Sequence, residues 1–105
     1  MTRSVLVFDV LPGKRDEFVA RFRQLEVLEH ARRQAGFRRS ELCVPDDGGD
    51  RVMVTAEWDS PEAYQGWLDN PIRPVIQAEL GPLLAGPPEP QIYETLDDVR
   101  RQEED

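Results

Sequence analysis

RVMVTAEWDSPEAYQGW, residues 51–67, predicts a β-strand that leads directly into an α-helix. Apolar side chains recur at every second position of the strand, which ends at Trp58. The pair Ser60–Pro61 supplies a favourable N-cap and a favourable first helical residue. The helix then carries Tyr64 and Trp67 one turn apart, so three large aromatic side chains meet at one corner. Such a corner forms a suitable wall for a flat organic ligand.

Before this segment, the sequence predicts two strands separated by a long helix. Val5–Leu11 is apolar at nearly every position, which indicates a strand in the centre of a sheet. Lys14–Gln34 has the apolar periodicity of a helix, and Gly36 predicts its end. Phe37–Val44 is the predicted second strand, and the turn residues Pro45–Asp50 indicate that it pairs with the next strand as a hairpin.

After the segment, prolines interrupt the second helical region. Because proline removes an amide donor and restricts the residue before it, we expect two helical pieces, Pro61–Asp69 and Pro74–Leu80. Gln91–Leu96 is the predicted last strand. Residues 1–96 are therefore expected to form one domain, and residues 97–105 a charged tail.

The predicted order β-α-β-β-α-β is typical of an α+β fold, the ferredoxin-like split β-α-β arrangement. This fold has a four-stranded antiparallel sheet with both helical regions on one face. The first strand is apolar on both sides apart from Asp9, and an exposed patch of that kind is unusual for a soluble monomer. We therefore expect a homodimer in which two sheets pack face to face and bury Leu6, Phe8 and Val10, at about 1.5–3 kcal/mol each.

The composition argues against several classes of function. The net charge of −8 disfavours binding to nucleic acid or to an anionic membrane surface, because both need basic patches. The single cysteine, Cys43, cannot form an internal disulfide, and the sequence has no cysteine–histidine spacing typical of a metal site. No stretch has the character of a signal peptide or a membrane span. We expect a cytoplasmic protein without a metal.

Four segments resemble the antibiotic biosynthesis monooxygenase (ABM) domains, a family of dimeric α+β barrels. These segments are Leu11–Gly13, Ala35–Phe37, Glu57–Tyr64 and Leu84–Pro88, and the similarity extends over about residues 4–96. The resemblance implies a homodimer with a pocket in each subunit, between the sheet and the helices. It also implies oxygen chemistry without a metal or flavin cofactor.

The resemblance further suggests which residues form the site. Trp58 and Tyr64 match pocket aromatics of the small anthrone oxygenases in this family, and we predict them as catalytic residues. The predicted substrate-binding residues are Trp67, Arg73, Gln77 and Asp9. In those enzymes the phenolic substrate loses a proton and its carbanion passes an electron to dioxygen. The protein supplies a dry pocket and groups that hold the oxyanion.

Some positions differ from the pattern of the family. The asparagine expected four residues before the tryptophan is Val54, and the expected late-helix arginine falls near Gln77, with Arg73 close by as a replacement for its charge. A heme-degrading branch has a pocket tryptophan that matches Trp67, but its axial histidine also falls at Gln77. Because a neutral amide is a poor iron ligand, we do not expect heme breakdown.

Two of the candidate residues have alternative interpretations. Trp58 lies at the end of an apolar strand face and is as well suited to plain core packing as to ligand contact. Asp9 is either a pocket carboxylate that acts as a base or a residue at the solvent end of its strand.

Three functions remain open from the sequence. The first is a cofactor-independent monooxygenase acting on an aromatic polyketide-type substrate, an anthrone or a phenol. The second is a polyketide cyclase or isomerase that uses the same pocket without consuming oxygen. The third is a non-catalytic dimeric helper protein that binds a small aromatic molecule.

Overall fold

The structure, a computed structural model, describes residues 1–102. Within that range the chain forms a four-stranded sheet and four α-helices. The elements in chain order are β1 (Thr2–Asp9), α1 (Arg15–Gln24), α2 (Val27–Arg32), β2 (Phe37–Cys43), β3 (Arg51–Trp58), α3 (Pro61–Leu68), α4 (Ile72–Leu80) and β4 (Glu89–Glu94). A short 3₁₀ turn, Gly81–Leu83, follows α4.

The sheet has the strand order β2-β3-β1-β4, and all neighbouring strands are antiparallel. The two central strands, β1 and β3, pair along their whole length from Thr2 opposite Trp58 to Asp9 opposite Arg51. This topology confirms the predicted α+β, ferredoxin-like split β-α-β fold. The predicted bounds of β3 agree with the structure, whereas β1 and β4 each begin and end earlier in the chain than expected.

The first helical region differs from the prediction, because it is broken into α1 and α2 instead of forming one helix. Glu26 lies at the break and has a left-handed backbone conformation with φ of 53°. Phe22 of α1 and Val27 of α2 are both buried, although on one continuous helix they would point about 140° apart. The break therefore turns the chain so that both helices bury side chains against the sheet.

The second helical region is interrupted as predicted, although its second piece starts earlier. Ser60 caps α3 by accepting a hydrogen bond from the amide of Ala63 at 3.2 Å. The helix α4 begins at Ile72, whose amide donates to Asn70 Oδ1 at 3.0 Å. Pro74 thus falls in the first turn of α4, where an amide has no acceptor within the helix, so a proline is tolerated.

The face of the sheet that the helices cover is the opposite of the one we expected. Phe8 and Val10 are buried, and the Phe8 ring lies 5.0 Å from that of Phe18 in α1. Val52, directly opposite Phe8 in the register, is fully buried as well. The prediction that Leu6, Phe8 and Val10 form a dimer interface is therefore wrong. They lie on the face that packs against the helices of their own chain.

The outer face of the sheet, which none of the described helices covers, is mixed in character. Val5, Val7 and Met53 are half-buried along its centre. Glu57 is 5% exposed and forms an ion pair with Arg3 on the neighbouring strand. This arrangement agrees with the general rule that a buried carboxylate is paired.

The ends of the chain and the loops add little regular structure. The amide of Thr95 donates to the carbonyl of Met1 at 2.9 Å, just after β4, and residues 97–102 form neither helix nor strand. Residues 103–105 of the predicted charged tail lie outside the described part of the chain. Over residues 1–102, none of the helices combines the length and the apolar character that crossing a bilayer requires.

Candidate functional site

A cavity of about 990 Å³ lies between the inner face of the sheet and the helices. Its floor is formed by residues of all four strands, and in β1 and β3 these are alternate residues, because successive side chains of a strand point to opposite faces. Its walls come from α2, α3, α4 and the connector from Gly81 to Pro88. A volume of this size is at the upper end of the range for small-molecule sites, about 300–1,000 Å³.

Three rows of residues cross the floor of the cavity. The outermost row contains Trp58 at the end of β3. In the next row Ala56 has Ser4 of β1 on one side and Ser40 of β2 on the other. Leu6 and Val54 form the following row. The floor is therefore apolar except for the serine hydroxyls that flank the small Ala56.

The aromatic residues of the strand-to-helix corner all contact this cavity. The rings of Trp58 and Tyr64 lie 5.8 Å apart at an angle of 54°, and Trp67 follows one turn later in α3. All three side chains are at least 95% buried within the chain. The structure thus brings the three predicted aromatic residues together at one corner of the cavity.

Arg73 lies on the same wall, at the start of α4. Its guanidinium carbon is 5.3 Å from the centre of the Trp67 ring, a cation–π contact. No carboxylate of residues 1–102 forms an ion pair with it. Burial lowers the pKa of Arg73, opposed by the nearby Tyr64, but an arginine remains a cation in a protein. Gln77, one turn further along α4, also lines the cavity and is more exposed.

Tyr64 presents a neutral hydroxyl group to the cavity. Burial raises the pKa of Tyr64, and the positive charge of Arg73 opposes this effect. Because an unperturbed tyrosine titrates near pH 10, the phenol stays protonated at neutral pH. The Tyr64 hydroxyl forms no hydrogen bond with another of residues 1–102. It is therefore available to donate to a bound ligand.

The indole of Trp58 is already engaged in a hydrogen bond. Its Nε1 donates to Ser4 Oγ at 3.0 Å, and the bond is buried. Tryptophan has a single donor and no acceptor, so the indole has no free N–H for a ligand. Sequence reasoning missed Ser4 because the first strand was expected to begin at Val5. The available signal was that Ser4, two residues before Leu6, is a polar residue on the same side of the strand as Leu6 and Phe8.

Asp9 does not belong to the cavity, which corrects its prediction as a substrate-binding residue. Its side chain is exposed on the outer face of the sheet, opposite Arg51 of β3 in the register. Of the two interpretations, the solvent end of the strand is the one the structure shows. The alternation of side chains explains the result, since Phe8 and Val10 on either side point inward.

The charge of the described cavity lining is positive. Among the lining residues within 1–102, Arg73 is the charged one, and no carboxylate, imidazole, amine or thiol contributes. Within residues 1–102, no three His, Cys, Asp or Glu side chains are grouped so that they could hold a metal ion. The cavity therefore favours neutral or anionic aromatic ligands, and residues 1–102 place no carboxylate or imidazole in it to accept a proton.

Comparison with known proteins identifies relatives of this chain. The sequence model of a family described as "Antibiotic biosynthesis monooxygenase" matches residues 1–78. An uncharacterised protein of Synechococcus elongatus is 30% identical over 86 residues, which are 81% of this chain. The chain spans 40% of the length of that curated relative.

Solved structures with the same fold cover both chains almost completely. A variant of SnoaB, a cofactor-independent oxygenase from Streptomyces nogalater, has a TM-score of 0.80 and 22% identity, over 95% of this chain and 97% of that one. The ActVA-Orf6 monooxygenase of Streptomyces coelicolor, solved with the ligand nanaomycin D, has a TM-score of 0.81 and 24% identity, over 96% and 92%. At these identities the likeness shows the fold.

Proposed function

The chain belongs to the antibiotic biosynthesis monooxygenase family, and we propose that it is a cofactor-independent monooxygenase acting on an aromatic polyketide-type substrate, an anthrone or a phenol. One observation carries the proposal. Arg73, a cation that forms no ion pair with a carboxylate of residues 1–102, lies beside the neutral hydroxyl of Tyr64 in a largely apolar cavity. Such a pair suits a planar aromatic molecule that carries a negative oxygen.

The proposed reaction uses the substrate as the source of electrons. The ring CH₂ of the anthrone loses a proton to water, since none of the lining residues within 1–102 has a carboxylate or an imidazole. The resulting enolate is held through its oxygen by Arg73 and Tyr64, and its carbon passes an electron to dioxygen. Recombination forms a peroxide, which loses water to leave a carbonyl group. In total, one CH₂ and one O₂ give one C=O and one H₂O.

The names of two structural neighbours support the type of reaction. SnoaB is called a cofactor-independent oxygenase, and ActVA-Orf6 is a monooxygenase solved with nanaomycin D. The lining of this cavity supports the same chemistry on its own terms, because its aromatic wall suits a flat ligand and its charge suits an anion. Trp67 stacks with Arg73 and thereby holds the guanidinium at the wall.

We also propose that the chain acts as a homodimer through the outer face of the sheet. Val5, Val7 and Met53 form an apolar strip along the centre of this face, and a second copy of the chain would bury it. The interface expected from the sequence was Leu6, Phe8 and Val10 instead, but the helices of the same chain cover the face on which those three residues lie.

The test is oxygen uptake with an anthrone as substrate. Wild-type protein is expected to consume one O₂ for each anthrone oxidised, above the background of spontaneous oxidation. Arg73→Gln is expected to lower kcat/KM by about tenfold to a hundredfold, because hydrogen bonds to charged groups are worth about 1.5–3 kcal/mol. Arg23→Gln, which removes an exposed arginine of α1, is the matched control and should leave kcat/KM unchanged. Uptake at the background rate for wild type would contradict the proposal.

One observation favours a second candidate, a polyketide cyclase or isomerase. Val54 lies on the cavity floor at the position where the resemblance predicts an asparagine, so one polar group for an oxyanion is absent. A cavity that mainly shapes an apolar ligand suits ring closure, which consumes no oxygen. Ring closure of a polyketide substrate with no oxygen consumed would favour this alternative, and binding without turnover would favour a helper protein.

A further inference from the structure

The middle row of the cavity floor contains a polar group that the proposed function has not used. Ser4 is 8% exposed, lies on the central strand β1, and lines the cavity. Its neighbour across β3, Ala56, has a small side chain, so a ligand can approach the floor closely at this row. The position therefore borders the cavity, while little of its surface is accessible to solvent.

The Ser4 hydroxyl has a proton that it can donate to a ligand. A serine hydroxyl has one proton to donate and two lone pairs that accept. The Trp58 indole N–H occupies a lone pair at 3.0 Å. No other side-chain hydrogen bond of Ser4 is formed within residues 1–102, so the structure provides no acceptor for the hydroxyl proton. The hydroxyl can therefore direct its proton into the cavity.

We propose that the Ser4 hydroxyl donates a hydrogen bond to a carbonyl or phenolate oxygen of the bound aromatic ligand. This inference rests on the proposed function and deepens it. Trp58 is then a positioning residue, because its N–H holds Ser4 Oγ from behind and polarises the hydroxyl. The contribution of Trp58 to ligand recognition therefore passes through Ser4.

The arrangement also narrows the class of substrate. Ser4 provides a polar point on the sheet, whereas Arg73 and Tyr64 provide another on the helices. Most of the lining between these two places is apolar. The cavity thus suits a planar polycycle that carries oxygen atoms on two different edges, as in an anthrone with a ring hydroxyl or in a quinone.

The test uses two ligands of similar shape, 9,10-anthraquinone and anthracene, which differ in the carbonyl groups. Ser4→Ala is expected to weaken anthraquinone binding by about tenfold, the size of one hydrogen bond, and to leave anthracene binding unchanged. The infrared carbonyl band of bound anthraquinone should move to higher frequency in Ser4→Ala, because a hydrogen bond to the carbonyl is lost. A purely structural role of Ser4 would not move this band.

Two variants serve as controls for the serine. Thr95→Val removes the hydroxyl of a residue that does not line the cavity, and it should leave the carbonyl band in place. Ser4→Thr keeps the hydroxyl and is expected to keep the band. If Ser4→Ala does not fold, Ser4→Cys can replace it, because cysteine has a similar shape and a weaker donor. The carbonyl band should then move in the same direction, to higher frequency, but by less.

A double-mutant cycle tests the role of Trp58. Trp58→Phe keeps an aromatic ring but removes the donor, and it should cost less for anthraquinone when Ser4 is already alanine. Additive effects would show that Trp58 does not act through Ser4.

If wild type binds anthraquinone but Ser4→Ala changes neither the affinity nor the carbonyl band, the Ser4 assignment alone is overturned. If wild type binds neither ligand, the proposed function and this inference are overturned together.

Discussion

Tyr64 and Arg73 influence each other in a way that defines the charge state of the cavity. Burial favours the neutral phenol, while the guanidinium favours the phenolate, and burial has the larger effect on the pKa of Tyr64. The result is a neutral donor beside a fixed cation. An anionic ligand oxygen gains from both groups, whereas a cationic ligand gains from neither.

Replacement of Tyr64 by phenylalanine tests this donor directly. Tyr64→Phe keeps the ring against Trp58 and removes the hydroxyl, so kcat/KM for an anthrone is expected to fall by about tenfold while the fold persists. Arg23→Gln is again the control, since Arg23 is exposed on α1, outside the cavity, and should not affect turnover. Unchanged kinetics in Tyr64→Phe would remove the hydroxyl from the mechanism.

The raised pKa of Tyr64 also predicts a pH dependence of stability. Below pH 10 the phenol is protonated in both the folded and the unfolded chain, so Tyr64 does not make the free energy of unfolding depend on pH. Above pH 10 the unfolded chain ionises first, and the free energy of unfolding falls until the pH reaches the folded-state pKa. Denaturant titrations at a series of alkaline pH values should show a steeper fall for wild type than for Tyr64→Phe. Equal slopes would show that Tyr64 is well solvated.

At the scale of elements, the break between α1 and α2 holds a backbone conformation that glutamate disfavours. Glu26 has a positive φ and an exposed side chain. A left-handed conformation costs an L-residue roughly 1–2 kcal/mol, whereas glycine adopts it without that cost. The chain accepts the cost because the break allows Phe22 and Val27 to be buried together.

Glu26→Gly is therefore expected to stabilise the protein by about 0.5–1 kcal/mol. The measurement is the free energy of unfolding from urea titration. Gln24→Gly is the comparison, because Gln24 is exposed in the helical conformation of α1, and glycine there should destabilise by about 1 kcal/mol. If both variants are destabilised alike, the left-handed conformation at Glu26 is not the state in solution.

The same break shows where sequence reasoning stops for individual elements. The hairpin and the helix start at Ser60–Pro61 were predictable, since alternation, turn residues and capping all indicate the same structure. A helix break at Glu26 has no glycine or proline to announce it. It follows from the packing of two helices on a twisted sheet, which the local sequence does not contain.

For the whole molecule, the fold could be predicted from the order of its elements, but the assignment of the sheet faces could not. Both faces of β1 are rich in apolar residues, so alternation alone does not say which face the helices cover. The register with β3 resolves the choice, because Phe8 pairs with the buried Val52. Of the candidate site, the aromatic wall and Arg73 could be found from the sequence, whereas Ser4 required the long-range bond from Trp58.

The outer face leads to a prediction about the assembly of the molecule. Val5 lies on a central strand between Thr55 of β3 and Gln91 of β4, in the middle of the proposed interface. Val5→Arg places a charge there, which a single chain can expose to water but a face-to-face dimer must bury at a cost of several kcal/mol. Sedimentation equilibrium at micromolar concentration is expected to give twice the 12.1 kDa chain mass for wild type and the mass of one chain for Val5→Arg.

A matched substitution separates this effect from a general effect of added charge. Val75 is 52% exposed on α4, away from the outer face of the sheet, so Val75→Arg should remain a dimer. Circular dichroism of Val5→Arg should show the wild-type content of helix and strand, because the inner face and the cavity are untouched. A wild-type protein that sediments as a single chain would contradict the homodimer, and the half-buried strip of Val5, Val7 and Met53 would then be a surface of the monomer.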